Sequence, residues 1–493
     1  MDENLPVLQI VIPLIAAPVC VLLRRRTLVL GFSMAVCWVV FAMAVYLLAR
    51  VLSDGVISYA LGGWAAPWGI EYRVDALSAF VLLFVSGIGA IVLTFAPASL
   101  TAEVPRDRHY LFCTAYLLCL TGLLGIAITG DLFNLFVFLE ISALSSYALI
   151  SLGSNRRALT ASFQYLVMGT IGATFILIGI GLLYMMTGTL NMADMAVQLG
   201  NAVGKRTLLV AFAFLSVGIF LKMALFPLHV WLPNAYAFAP SVVTAFLAAT
   251  ATKVAVYILL RFVFTVFGQV AVFEEGTFHL VLLMLALSGI VIASTVAIFQ
   301  RNIKRMLAYS SLAQIGYMVL GISFGSLTGL TGGIVHLFNH ALIKGGLFLA
   351  MGCIALRLGS VDLDDMRGIG RRMPVTMLAW VIGGLGLIGV PATAGFVSKW
   401  YLIRAALEQP GWWPVAVLVL FSSLLALIYV WRVVEVAYFK DPPEGKTEVK
   451  EAPLSMLVPT CVLIAGTVFF GLYTSLSVGV ASDAAQLLLE GAR

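Results

Sequence analysis

Residues 130–150 read GDLFNLFVFLEISALSSYALI, an almost uninterrupted apolar run with a carboxylate, Glu140, near its centre. A membrane-spanning helix needs about 20 mainly apolar residues, and this run is long enough. A charge at the middle of a bilayer costs roughly 2.5–3.5 kcal/mol on insertion scales. The stretch therefore predicts a transmembrane helix, and Glu140 needs a specific reason to lie inside it.

The composition of the whole chain excludes most soluble classes of protein. Hydrophobic residues make up 62% of the 493 residues, charged residues make up 11%, and the mean hydropathy is +1.06. Soluble domains carry roughly 25% charged residues, so most of this surface must face lipid. A soluble multidomain enzyme, a disordered chain, a disulfide scaffold and a nucleic-acid-binding protein are all disfavoured. The net charge of +6 comes mostly from basic loops.

The cysteines do not suggest a cofactor or a metal site. None forms a C-x-x-C pair, most lie inside apolar runs, and we expect them to be free and buried. They are Cys20, Cys37, Cys113, Cys119, Cys353 and Cys461. We therefore expect no haem, zinc or iron–sulfur site, and no cofactor.

Apolar runs of spanning length recur along the whole chain and predict an all-α polytopic membrane protein with about fourteen helices. The predicted spans are 5–23, 28–50, 74–97, 110–129, 132–152, 161–186, 207–227, 240–267, 279–299, 306–324, 327–357, 374–404, 411–438 and 454–476. No soluble domain interrupts them. The longest polar inserts are 51–73, 187–206 and 440–452.

The distribution of basic residues predicts the orientation, because cytoplasmic loops carry an excess of lysine and arginine. The odd-numbered connections between spans contain Arg24, Arg25, Arg26, Arg106, Arg108, Arg156, Arg157, Arg301, Lys304, Arg305, Arg357, Arg367, Arg371, Arg372, Lys440, Lys446 and Lys450. The even-numbered connections contain little beyond Arg73, Lys205 and Arg206. We predict that the odd connections face the cytoplasm of a cell membrane, with both termini outside.

Two spans carry a proline near the middle of an apolar run that also contains polar residues. They are KMALFPLHVWLPNA (222–235), with Pro227, and GGLGLIGVPATAGFVSKW (383–400), with Pro391. A proline removes a backbone hydrogen bond, and membranes tolerate the break only where protein or a wet cavity satisfies the freed groups. Matching broken helices point to an internal repeat with an ion site at each break, although no short tandem repeat is visible. A simple packing kink is the alternative.

Ionisable residues inside the spans are the candidate functional groups. Lys222, Lys253, Lys344 and Lys399 accompany Glu140 in apolar surroundings. Lys222 is the natural partner of Glu140, and a pair that opens and closes could control proton uptake. A static salt bridge between two helices is the alternative. Lys253 and Lys344 have no acidic residue in their own spans, which favours a relay over snorkelling to the interface.

Two histidines extend this set. His336, His340 and Lys344 are spaced i, i+4 and i+8, which places them on one helix face over about 12 Å. Three titratable groups at such steps could pass protons along with water between them. His229, just past Pro227, is a weaker candidate, and for all three histidines an ordinary core position is the alternative.

Several of these strings resemble the proton-conducting antiporter-like subunits shared by respiratory complex I, membrane-bound hydrogenases and Mrp-type cation/proton antiporters. The strings are GDLFNLFVFLE (130–140), LKMALFPLHVWLPNAYAFAPSVVTAFLAATATKV (221–254), RNIKRMLAYSSLAQIGYMVLG (301–321), HLFNHALIKGGLF (336–348) and GVPATAGFVSKWYL (389–402). TGTLNMADMAV (187–197) and Lys399 most resemble the D-type branch of the Mrp antiporter subunits. The complex I subunit of similar size usually has a glutamate at the position of Lys399.

The resemblance implies a domain plan. Helices 1–3 occupy residues 1–107, helices 4–8 occupy residues 108–268, helices 9–13 occupy residues 279–440, and helix 14 occupies residues 453–493. The two five-helix sets are implied to be inverted repeats with broken helices 7 and 12. The residues that match the family's proton path are Glu140, Lys222, Lys253, His336, His340, Lys344 and Lys399.

The implied function is a proton-translocating subunit of a multisubunit Na⁺/proton antiporter, which is a secondary transporter and not an enzyme. Its expected partners are other membrane subunits of a hetero-oligomeric complex, the lipid bilayer and protons, with Na⁺ as an open alternative and no nucleic acid. The alternative function is the proton-pumping arm of a complex I-type NADH:quinone oxidoreductase or of a membrane-bound hydrogenase. A purely structural scaffold fits poorly with the cost of the buried charges.

Overall fold

The computed structural model describes residues 4–200, 206–268, 277–442 and 449–490, which are almost entirely helical. The helices are α1 (Leu5–Leu23), α2 (Arg26–Asp54), α3 (Ala76–Glu103), α4 (His109–Ile128), α5 (Leu132–Ser151), α6 (Arg156–Thr187), α7 (Met192–Gly200), α8 (Arg206–Met223), α9 (Trp231–Phe238), α10 (Ser241–Ala249), α11 (Ala251–Leu260), α12 (Phe278–Ile298), α13 (Ile303–Ser323), α14 (Leu327–Leu358), α15 (Ile369–Arg372), α16 (Pro374–Ile388), α17 (Ala394–Glu408), α18 (Trp413–Phe439), α19 (Leu454–Leu472) and α20 (Ser475–Glu490). A π-helical turn, Arg261–Val266, continues α11.

The predicted all-α polytopic architecture is confirmed. Within the described residues, 13 helices are long and apolar enough to cross a membrane. The shorter α16 is also apolar and, together with α17 beyond its break, supplies a fourteenth crossing. Crossings 1–6 are α1–α6, and crossing 7 consists of α8 and α9. Crossing 8 consists of α10, α11 and the π-helical turn. Crossings 9–11 are α12–α14, crossing 12 is α16 with α17, crossing 13 is α18 and crossing 14 is α19.

The buried core runs along the middle of the helix array. The apolar windows of crossing 8 and of α13 are 94% buried, whereas those of α1, α2, α6, α12, α18 and α19 are 39% buried. The central helices are therefore shielded from lipid by the peripheral ones. Polar side chains on the central helices are removed from lipid for the same reason.

Connections between the crossings gather at two ends of the molecule, alternately as predicted. Glu103, after crossing 3, accepts hydrogen bonds from Ser154 at its carbonyl and from Ser241 at its carboxylate. Arg357, after crossing 11, bonds the carbonyl of Glu451, after crossing 13. We call this the basic end, because the odd connections carry most of the loop arginines and lysines. Lys205 and Lys446 lie outside the described residues.

The opposite end carries a small antiparallel sheet that the all-α prediction did not include. Strands β1 (Ile57–Ala60) and β2 (Glu71–Val74) pair in the connection between crossings 2 and 3. Glu71 bonds Gly130, after crossing 4, and Asn191, after crossing 6. We call this the hairpin end. Which end faces the cytoplasm stays a prediction.

The two five-helix sets share an element that the sequence alone did not reveal. Asp131 forms an isolated β-bridge with Asn191 at the hairpin end, and Asn302 forms one with Asp362 at the basic end. Both partners are shifted by 171 residues between the sets, from Asp131 to Asn302 and from Asn191 to Asp362. The same shift relates the first residues of α6 and α14, which have 32 residues each. The bridges lie at opposite ends, which is the arrangement expected of inverted repeats; the repeat itself stays a prediction.

Three further elements were absent from the sequence-based prediction. Helix α7 follows α6 at the hairpin end, and α20 follows α19, packing against α14 and α3. Crossing 8 is interrupted at Thr250, whose φ of −123° and ψ of −57° separate α10 from α11. Lys304, counted above among loop charges, lies in the first turn of α13 and is buried. Its Nζ lies 3.8 Å from Glu103 Oε1.

Candidate functional site

The first broken helix brings Lys222 to Glu140. Helix α8 ends one residue after Lys222, and Ala224 then takes a positive φ of 57° in the break that contains Pro227. Lys222 Nζ donates to Glu140 Oε1 over 3.1 Å, and this contact agrees with the partner predicted from the sequence. The lysine side chain is 7% exposed and that of Glu140 is 26% exposed. The pair therefore joins α8 to α5 at the rim of the buried core.

The interruption at Thr250 holds the next lysine. Lys253 is fully buried, and its Nζ donates to the carbonyl of Ala248 at the end of α10 and, over 3.4 Å, to Thr252 Oγ1. A carbonyl near the end of a helix lacks its usual intrahelical donor, so the interruption offers an acceptor to the ammonium. No proline marks this interruption, and sequence reasoning therefore missed it.

Helix α14 carries the two histidines and the third lysine. Lys344 is fully buried and donates to the carbonyl of Leu307, over 2.7 Å, and to Ser310 Oγ on α13. The rings of His336 and His340 lie parallel, with centroids 6.0 Å apart, which agrees with the predicted shared face. Both nitrogens of His340 are buried without a hydrogen-bond partner.

The second broken helix holds Lys399 in a comparable way. Its Nζ donates to the carbonyls of Leu387 and Ile388, the last residues of α16, over 3.1 and 2.8 Å, and to Ser423 Oγ over 2.9 Å. Lys222 also lies in the last turn of its half-helix. Lys222 precedes its proline by five residues, and Lys399 follows its own by eight. Both ammonium groups nevertheless lie at the carbonyl end of a broken helix, where the helix dipole favours a cation.

Serine and tyrosine side chains complete the contacts between α14 and the second break. His336 Nδ1 lies 2.8 Å from Ser398 Oγ, and the ring of Tyr317 lies 5.3 Å from that of His336 and 5.0 Å from Lys399 Nζ. Ser310, Ser398, Tyr317 and Ser423 were not predicted as site residues. Serines are common in apolar spans, where they usually bond their own helix, so their positions in the sequence gave no signal.

A small cavity lies between the first two lysine-bearing helices. Its volume is about 30 Å³, and its lining includes Lys222, Ser142 and Ser146 together with Ala251 and Val254 of α11. A cavity of about 10–15 Å³ can hold one water when polar groups line it. The space between Lys222 and α11 is therefore large enough for a water. We call it the inner cavity.

Seven of the predicted residues consequently lie on one series of adjoining elements, which runs from α5 through α8, α11 and α14 to α17. Lys222 alone of the four axis lysines is paired with a carboxylate, while the other three donate to carbonyls and hydroxyls. We call this series the central axis.

Three of the predicted positions lie outside the central axis. His229 stacks on Phe226, with ring centroids 5.4 Å apart, and its ring centroid lies 6.5 Å from that of Tyr309. Pro227 and Pro391 are exposed at the two breaks. Across the described ranges, no group of three or more His, Cys, Asp or Glu side chains could hold a metal ion.

Two buried ion pairs away from the axis were also missed. Arg261 Nη2 donates to Asp75 Oδ1 over 2.5 Å at the hairpin end, and Lys304 approaches Glu103 at the basic end. Burial acts to raise the pKa of the Asp75 carboxyl, but the charge and hydrogen bond of Arg261 outweigh it, so the pKa is lowered. The two partners of each pair are distant in sequence, so no local pattern indicates them.

Comparison with known proteins gives consistent matches over nearly the whole chain. The family described as "NADH:quinone oxidoreductase/Mrp antiporter, TM" matches residues 129–426. The chain is 43% identical to the NADH-quinone oxidoreductase subunit N of Desulforudis audaxviator, over 96% of each chain. It is 31% identical to the D-type subunit of the Na⁺/H⁺ antiporter of Alkalihalophilus pseudofirmus, over 95% of this chain and 94% of that relative. A chain in the solved Mrp complex of Dietzia sp. has a TM-score of 0.90 at 27% identity, covering 99% and 98% of the two chains.

Proposed function

Because this chain belongs to the transmembrane family shared by NADH:quinone oxidoreductases and Mrp antiporters, we propose that it moves protons along the central axis as an antiporter-like subunit of a multisubunit membrane complex. The observation that carries this proposal is the Glu140–Lys222 pair next to a buried series of lysines and histidines without carboxylates. A static scaffold would leave the cost of these groups unexplained.

The geometry suggests how one proton step would occur. While Glu140 and Lys222 are 3.1 Å apart, the carboxylate stabilises the ammonium. When the pair opens, a buried ammonium without its counter-charge releases its proton more readily. The inner cavity connects Lys222 with α11, so a water there would carry that proton toward Lys253. His340 and His336, with their free ring nitrogens, would continue the path toward Lys399.

Within this function, exchange of protons against a monovalent cation such as Na⁺ is our first candidate. The similarity to the D-type subunit of an Na⁺/H⁺ antiporter and to a chain of an Mrp complex supports it, as does the lysine at position 399. The partners would then be other membrane subunits of the same antiporter. The axis presents mainly amines and imidazoles, which favour protons over Na⁺ as the ion that this chain itself moves.

A redox-driven proton pump is the second candidate. The 43% identity to an NADH-quinone oxidoreductase subunit N exceeds the 31% identity to the Na⁺/H⁺ antiporter relative. The two candidates differ in their partners. Purifying the intact assembly and identifying its members separates them, since iron–sulfur and quinone-reacting subunits would indicate the pump, and small hydrophobic antiporter subunits the exchanger.

Proton movement along the central axis, which both candidate functions require, is tested by substitution in the intact complex. We expect Glu140→Gln and Lys222→Met each to abolish proton movement in everted membrane vesicles, measured with a pH-sensitive dye after addition of Na⁺ or of the redox substrate. Glu408→Gln is the matched control, because Glu408 forms an exposed pair with Arg404. Co-purification of the other subunits shows that the variants assemble. Wild-type proton movement in both axis variants would refute the proposal.

A further inference from the structure

A large cavity at the hairpin end lies apart from the central axis. Its volume is about 760 Å³, and its walls come from β2, α7, the π-helical turn and the end of α20. Glu71, Arg73, Asp75 and Arg261 line it together with apolar residues of α7 and α20. We call it the outer cavity. The charged side chains that line this cavity favour water inside it, because buried charges need polar surroundings.

The floor of the outer cavity is a network centred on Arg261. Its Nη2 donates to Asp75 Oδ1 and, over 2.8 Å, to Ser78 Oγ, and its Nε donates to Tyr257 Oη over 2.9 Å. Tyr257 Oη in turn donates to the carbonyl of Ala127 at the end of α4, over 2.8 Å. The network thus links α3, α4 and crossing 8 beneath the cavity.

The inner cavity approaches the same place from the other side. Ile126 of α4 and Ile258 of α11 line it, while Thr129 and Arg261 of the same two chain segments line the outer cavity. Ile126 and Thr129 are three residues apart, and so are Ile258 and Arg261; three residues correspond to about 4.5 Å along a helix. One thickness of side chains therefore separates the outer cavity from the space beside Lys222. We call Ile126 and Ile258 the apolar layer.

We propose that the outer cavity is a second access route to the first half of the central axis, by which protons reach Lys222 from the hairpin end. The apolar layer and the Arg261–Asp75 pair close this route in the present conformation. Apolar constrictions stop conduction by excluding water and conduct when they become wet. Separating Arg261 from Asp75 leaves a buried charge unpaired, which draws water toward the apolar layer. The proposal rests on the proton function assigned to Lys222.

Thiol labelling tests the route without measuring transport. Single substitutions Thr265→Cys, in the outer cavity, and Ile258→Cys, in the apolar layer, are made in the full chain within its complex. Both are treated with a membrane-impermeant cationic thiosulfonate, with and without Asp75→Asn. We expect labelling at position 265 in both backgrounds, and labelling at position 258 only with Asp75→Asn. Val319→Cys, buried in α13, is the control that stays unlabelled.

The native cysteines report whether a variant keeps its fold. Cys113 and Cys119 are buried in α4, and peptide mapping by mass spectrometry shows whether they remain unlabelled. Labelling at position 258 with both native thiols protected supports the route. No labelling there, or labelling only when Cys113 also reacts, overturns it.

A leak measurement adds a functional readout. We expect Ile258→Ser to make passive proton entry into proteoliposomes of the complex several-fold faster, because a hydroxyl lets water cross the apolar layer. Ile292→Ser, at an exposed position of α12, is the control and leaves the leak unchanged. An unchanged leak in Ile258→Ser overturns the access route. The labelling result and the Glu140→Gln result are independent, so failure of the access route and failure of the proposed function are distinguishable.

Discussion

Buried lysines of the central axis differ in what accepts their hydrogen bonds. Lys222 faces a carboxylate, which favours the charged ammonium, whereas Lys253, Lys344 and Lys399 face backbone carbonyls. A carbonyl accepts a hydrogen bond from an ammonium or from a neutral amine alike. These three sites therefore keep their partners whether the lysine is protonated or not. This property suits a group that gains and loses a proton repeatedly.

Replacing Lys253 separates a transport role from a structural one. We expect Lys253→Met to abolish proton movement in vesicles while leaving the thermal unfolding temperature in detergent equal or higher. The reason is that burying an amine without a counter-charge costs free energy, which an apolar methionine of similar volume does not incur. Lys440→Met, at a side chain that is 46% exposed, is the matched control. Normal transport, or strong destabilisation with residual transport, would contradict this expectation.

The charged residues of the axis could be predicted from the sequence, and their hydroxyl partners could not. An ionised side chain in an apolar span is conspicuous because of its cost, so Glu140 and the four lysines were found directly. Ser310 and Ser398 carry no such cost, since a serine can satisfy itself within its own helix. The pairing of Asp75 with Arg261 depends on contacts between distant crossings. No local pattern in the sequence reports such contacts.

At the scale of elements, close packing of α6 against α8 fixes the position of the first break. A methyl group added to Gly218 would lie 2.6 Å from the carbonyl oxygen of Gly172 and 2.7 Å from a side-chain carbon of Ile176. The carbonyl belongs to a helix backbone and cannot move alone. Helices in membranes pack through such small residues. Lys222 lies one turn beyond Gly218, so this contact also positions its ammonium.

A substitution at this contact should therefore affect both stability and transport. We expect Gly218→Ala to destabilise the protein by about 1–3 kcal/mol, as overpacking typically does, and to reduce proton movement. The measurement is thermal unfolding in detergent combined with the vesicle assay. Gly181→Ala on α6 is the control, because nothing lies within 4 Å of the added methyl group. Equal unfolding temperatures for the two variants would show that the contact is not tight.

Prolines revealed two of the three interruptions, and composition alone could not reveal the third. Pro227 and Pro391 remove backbone donors, which is a local property of the sequence. The interruption at Thr250 arises in a run without proline, where Lys253 Nζ donates to the carbonyl of Ala248 across the interruption. The hairpin strands and α20 were not predicted, because the strands lie between two strongly apolar spans and α20 directly follows one. Their own patterns are short and only weakly apolar.

On the scale of the whole molecule, the predicted fourteen crossings, an even number, would place both ends of the chain on the same side of the membrane. The structure gathers odd connections at the basic end and even ones at the hairpin end. The excess of arginine and lysine in the odd connections predicts that the basic end faces the cytoplasm. This orientation determines which compartment each cavity faces, and it is open to direct measurement.

Labelling in whole cells measures the orientation. We expect Trp68→Cys, at a position 90% exposed near the β-hairpin, to react with an impermeant thiol reagent in intact cells. Ser154→Cys, exposed at the basic end, should react only after the cells are permeabilised. The unsubstituted protein, whose cysteines are buried or partly buried, gives the background. The reverse pattern of labelling would invert the orientation of the chain.

The shift of 171 residues between the two five-helix sets bears on how the chain distinguishes the two sides of the membrane. Two identical halves inserted with opposite polarity would present the same surface to both compartments, and such a chain by itself could not tell one side from the other. Glu140 has its positional counterpart in Ser311, and the parallel histidines of α14 have theirs in Tyr165 and Gly169 of α6. Within the two five-helix sets, which we predict to be inverted repeats, any difference between inward and outward is therefore carried by the positions at which the two sets differ.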